Sequence, residues 1–102
     1  MGPGGALPAL GAEDYRATIA RSLGYFQGDA RHFSVTEPWT PLIGGMMACV
    51  RIDVPDGAGG FAPSSDFSMY QIEQGRIVAM VKDNTIFGCP NRTYHPLAPA
   101  TK

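Results

Sequence analysis

The sequence predicts an α+β domain: one N-terminal helix packed on a four-stranded antiparallel meander. Three observations carry that reading. Tyr15, Ile19, Leu23 and Phe26 recur at helical spacing once, near the start. Beyond them the apolar residues alternate with period two between glycine and proline breaks. Residues 67–84 then read as two strands closed by Gln74-Gly75, where Gly75 supplies the positive φ that a two-residue hairpin loop needs.

The elements follow in order. Residues 1–11, all Gly, Pro, Ala and Leu after Met1, lack any period and read as a flexible leader. A helix is expected over residues 13–26, opened by Glu13 and Asp14, whose charge suits the N-terminal dipole. Gly24 weakens its last turn and Gly28 is its stop. Residues 31–37 alternate, with Phe33 and Val35 on one face and His32, Ser34 and Thr36 on the other. Pro38 and Pro41 end that strand, because proline cannot donate to a ladder. Gly44-Gly45 precedes a longer strand over 46–54, with Met47, Cys49, Arg51 and Asp53 on its second face. Residues 55–65 read as a mobile loop with Asp56-Gly57 as its turn and Phe61 as an apolar exception. The hairpin follows, and residues 89–102, with three prolines, read as an extended tail. The organisation is thus a leader (1–11), one domain (12–88) and a Pro-rich tail (89–102).

A two-residue loop at Gln74-Gly75 sets a register. Counted outward without interruption, it opposes Ile72 with Ile77, Tyr70 with Ala79, Met69 with Met80, Ser68 with Val81 and Asp66 with Asp83. Both faces of the hairpin then carry apolar residues. One helix of about 14 residues spans about 21 Å and cannot cover both. A second subunit is the economical cover, so a homo-oligomer, a dimer in the simplest case, is expected.

Composition points the same way. In a 102-residue chain, 17% of residues are charged, below the usual level of about 25%, so apolar surface is left to be covered by a partner or to line a pocket. The formal net charge of −1, with no run of Lys or Arg, excludes a nucleic-acid footprint. The apolar stretches are too short to span a bilayer, so no membrane partner is expected. The start lacks a basic n-region and a continuous apolar segment, so the expectation is a cytoplasmic protein in which Cys49 and Cys89 are reduced thiols.

Phe67-Ser-Met-Tyr70-Gln-Ile72-Glu-Gln-Gly75-Arg76-Ile77-Val78 resembles the final hairpin of the SnoaL-like members of the NTF2-like superfamily. The likeness extends loosely over residues 13–84. It implies a curved sheet wrapped as a cone around a pocket, here truncated because two N-terminal helices of such domains are missing. It also implies dimers and, in some members, isomerase, cyclase or hydratase chemistry at a pocket Asp or His, a role that Asp83 and His32 match by general location.

The candidate site follows. Asp83 and His32 are the catalytic candidates, Asp83 because a desolvated carboxylate opposed by Asp66 would have a raised pKa. Tyr70, Ser68, Asp66, Met80 and Trp39 are the ligand-binding candidates, the methionine lending shape tolerance. Both carboxylates lying simply in water is the plainer alternative. Trp39 reads as a packing anchor or, alternatively, an interface aromatic. His32, His95, Cys49 and Cys89 lack the close ligand pairs of a metal site, and Gly57-Ala-Gly-Gly60 lacks the Walker lysine; no metal or cofactor is expected. The expected function is binding of a small hydrophobic ligand, with acid/base chemistry as an option. The alternative is a non-catalytic homo-oligomeric interaction module.

Overall fold

The computed structural model describes residues 12–42, 45–83 and 85–101. The expected leader, the side chains of Glu13 and Asp14, and Gly44 of the Gly44-Gly45 break lie outside the described residues. The fold is α+β, one helix on an open antiparallel sheet, with five strands in place of four.

Helix α1 spans Ala12–Leu23. It stops three residues short of the expected end because Gly24 takes a left-handed φ of 66°. Gly24 N–H donates to Arg21 O (3.1 Å) and Tyr25 N–H to Ala20 O (2.9 Å), the paired bonds of a Schellman cap. Tyr15 Oη donates to Thr36 O (2.8 Å) and locks the helix onto the sheet.

The strands are β1 (His32–Thr36), β2 (Met46–Pro55), β3 (Phe61–Glu73), β4 (Arg76–Lys82) and β5 (Tyr94–Pro96), in spatial order β4-β3-β2-β1-β5. The fifth strand comes from the expected tail. Tyr94, His95 and Pro96 pair with Thr36, Val35 and Ser34 of β1, and Leu97 and Ala100 are buried behind them. Pro96 is tolerated because β5 is an edge. Strand β3 starts at Phe61, earlier than expected, and holds Pro63. At that point β3 has β2 on one side only, since β4 pairs from Ser68 onward.

The hairpin turn is as expected, with Gln74 and Gly75 both at positive φ, 53° and 75°. The register beyond it is corrected. A bulge at Val78 shifts the pairing, so Gln71 opposes Ala79, Tyr70 opposes Met80, Met69 opposes Val81 and Ser68 opposes Lys82. Asp66 therefore does not oppose Asp83; it forms an ion pair with Lys82.

The sheet buries both faces. On the helix side, Ile19, Ala20 and Tyr15 pack with Phe33, Val35, Ala48, Val50, Tyr70, Ile72 and Leu97. On the other side lies a smaller cluster of Met47, Cys49, Met69 and Cys89, flanked by Trp39, Phe67, Phe87 and Tyr94. Here Cys49 and Cys89 form a disulfide, which overturns the expectation of free thiols. No helix is long and apolar enough to cross a membrane among the described residues.

Candidate functional site

Strands β1 and β2 place four polar side chains side by side on the disulfide face, because His32 pairs with Asp53 and Ser34 with Arg51. Asp53 is the hub. Its Oδ2 accepts from Ser34 Oγ at 2.5 Å and lies 3.0 Å from His32 Nδ1. Its Oδ1 accepts from Arg51 Nε at 2.7 Å. Arg51 Nη2 also donates to Ser34 Oγ (3.3 Å), and the guanidinium lies 4.7 Å from the centre of the Tyr94 ring.

Burial pushes the Asp53 carboxyl up, but the hydrogen bonds from Arg51, Ser34 and His32 together outweigh it and hold the pKa below the usual value. An ionised carboxylate only accepts, so Nδ1 of a neutral His32 carries the proton and Nε2 is left as an acceptor. The imidazole stacks on Phe61, with centroids 4.6 Å apart and planes inclined by 19°. Chemically, this arrangement fixes one histidine tautomer and presents its second nitrogen at a partly exposed position.

The predicted site residues do not meet in one place. Tyr70 is buried in the helix-side core, and burial raises its phenol pKa. Met80 is across from it on β4, and Ser68 is across from Lys82. Asp66 is exposed, bound to Lys82. Trp39, Asp83 and His32 belong to the disulfide side. Trp39 exchanges backbone hydrogen bonds with Met47 and lies under the Arg92 guanidinium at 3.6 Å. Asp83 is buried, and its oxygens accept from the N–H groups of Phe87 (3.0 Å) and Cys89 (3.1 Å). Its carboxylate closes the loop after β4. A cleft of about 340 Å³, open to solvent, lies elsewhere, between Arg16 and Arg21 of α1 and Pro96, Ala98, Pro99 and Thr101.

Sequence reasoning reached His32 and missed its partners Ser34, Arg51 and Asp53, together with Tyr94 and Phe61. The signal was present in the alternation of both strands; what was lacking was the β1–β2 register. Comparison with known proteins finds no family model, no curated protein and no solved structure that matches this chain.

Proposed function

We propose that the chain is a non-catalytic interaction module that assembles with a second copy through β4. The observation that carries this reading is the run of half-exposed apolar side chains there: Val78, Met80 and Val81 are 47%, 52% and 42% exposed. They lie on an edge strand of seven residues. The bulge at Val78 and the flanking Arg76 and Lys82 resist simple ladder extension, so the contact is made by side chains. Lys82 is neutralised by Asp66 on its own chain, so two copies meet at Met80 without like charges in opposition. The resemblance to SnoaL-like domains, many of them dimers, supports the same assembly. The Cys49–Cys89 bridge favours an oxidising compartment over the cytoplasm expected from the sequence. Sedimentation over a range of concentrations should show the parent chain gaining mass while Met80→Lys stays a monomer of unchanged fold. A parent that remains monomeric at every concentration removes this reading.

A second reading, small-ligand binding with acid/base chemistry, is favoured by the His32–Asp53 pair, whose outward nitrogen stands beside the Phe61 ring. A flat aromatic alcohol is the suitable probe, since its ring would stack on Phe61 and its hydroxyl would donate to His32 Nε2. Addition of phenol or 2-naphthol should then move the His32 ring resonances and leave those of His95 in place. Equal, unsaturable movement of both would count against it.

A further inference from the structure

Among the described residues three potential metal ligands converge: the sulfurs of Cys49 and Cys89 and a carboxylate oxygen of Asp83 lie within 4.8 Å of one another, all in buried residues. The geometry points to a second state of this clasp: on reduction of the disulfide, Cys49, Cys89 and Asp83 bind a thiophilic divalent cation, Zn²⁺ in the first instance.

The backbones that carry the two sulfurs are held independently of the bond between them. Cys89 is tied at both backbone groups: its N–H donates to Asp83 Oδ2 (3.1 Å) and its carbonyl accepts from Tyr94 Oη (2.8 Å). Cys49 sits inside β2, where its N–H donates to Thr36 Oγ1 (3.0 Å) and it pairs with Met69. Breaking the S–S bond therefore leaves two thiols confined beside a carboxylate. That carboxylate is 2% exposed, and among the described residues it forms no ion pair with lysine or arginine. Its two backbone hydrogen bonds use two of about four lone-pair sites, so each oxygen keeps capacity for a metal. Zinc binds sulfur at about 2.3 Å and carboxylate oxygen at about 2.1 Å, which sets tetrahedral ligand atoms roughly 3.5–3.8 Å apart. A cluster within 4.8 Å suits that spacing.

The chemistry balances. Two equivalents of a small thiol reduce the bridge, giving two cysteine thiols and the small thiol's own disulfide. Metal binding then releases the two thiol protons. Two thiolates and one carboxylate carry −3; with the cation the site carries −1, which is far cheaper to bury. Water completes the fourth position, as in other three-ligand zinc sites. The chain is thereby clasped in either redox state, by a covalent bond or by a metal.

Co²⁺ is the probe, because thiolate coordination gives it a charge-transfer band. Protein reduced with a phosphine should take up one equivalent of Co²⁺ with that band, and Zn²⁺ should displace it. The oxidised protein should take up none. Reduced Asp83→Asn should bind at least about tenfold more weakly, since even outer-shell partners of a metal are worth 10–100-fold; Cys49→Ala should lose the band. The oxidised form of Asp83→Asn, held by its bridge, serves to check that the variant folds. A reduced chain that unfolds without metal and refolds with Zn²⁺ also supports the site. The proposal is overturned if the reduced chain, folded or unfolded, shows no thiolate–cobalt band and no response to Zn²⁺, or if a folded Asp83→Asn binds as tightly as the parent.

Discussion

Replacing Cys49 and Cys89 together with alanine lowers the unfolding free energy by about 4 kcal/mol, the chain-entropy value for a bridge that closes a 40-residue separation. For a domain of this size that is a fall in Tm of roughly 15–30 °C. The effect is large because the chain is small. A domain of about 100 residues has only about 5–15 kcal/mol of net stability, and the cluster on this face contains four buried residues, two of them the cysteines themselves. The remaining ties of the 83–94 loop, through Asp83 and Tyr94, keep the double variant folded under mild conditions. Urea unfolding of the parent and the double alanine variant, both in chelator, measures the difference. A change below about 1 kcal/mol would mean that the loop is held by its hydrogen bonds alone.

The second large effect is at Asp53. Asp53→Ala removes the acceptor shared by Arg51, Ser34 and His32 and should cost about 3 kcal/mol, the lower end of the range for breaking a buried charge pair. The lower end applies because Arg51 keeps a fifth of its side chain in water and retains the Tyr94 ring. The loss carries a pH signature. The folded pKa of Asp53 lies below its unfolded value of about 3.9. Its contribution is therefore complete above that unfolded value and disappears as pH falls through the folded one. Parent and variant should differ fully at pH 7 and converge in strong acid. A gap that stays constant down to pH 2 would show that ionisation of Asp53 is irrelevant to its role.

Much of the fold was legible because it rests on local rules. The helical stripe, the Gln74-Gly75 turn and the alternation of β1 and β2 each depend on residues close in sequence. The misreadings share a different cause: each needed a long-range partner. Nothing in Arg76–Lys82 marks Val78 as an extra residue, so the register ran one step out and brought Asp66 opposite Asp83. Residues 94–96 show no strand pattern of their own; they become β5 because β1 offers an open edge and Leu97 a buried anchor. Residues 49 and 89 are brought together by β2 and the loop after β4, and the compartment argument had set that pairing aside. Of the candidate site, His32 was visible as a polar residue in a strand, but its value depends on Asp53, 21 positions away.

The bulge at Val78 also has a genetic consequence. Point changes at a half-exposed valine are among the milder events a gene can suffer. Loss of that one codon would be mild too, because the pairing already skips Val78: Ala79 would stay opposite Gln71, Met80 opposite Tyr70 and Lys82 opposite Ser68. At this site the protein surface tolerates a change in the count of residues, because one residue already stands outside the ladder.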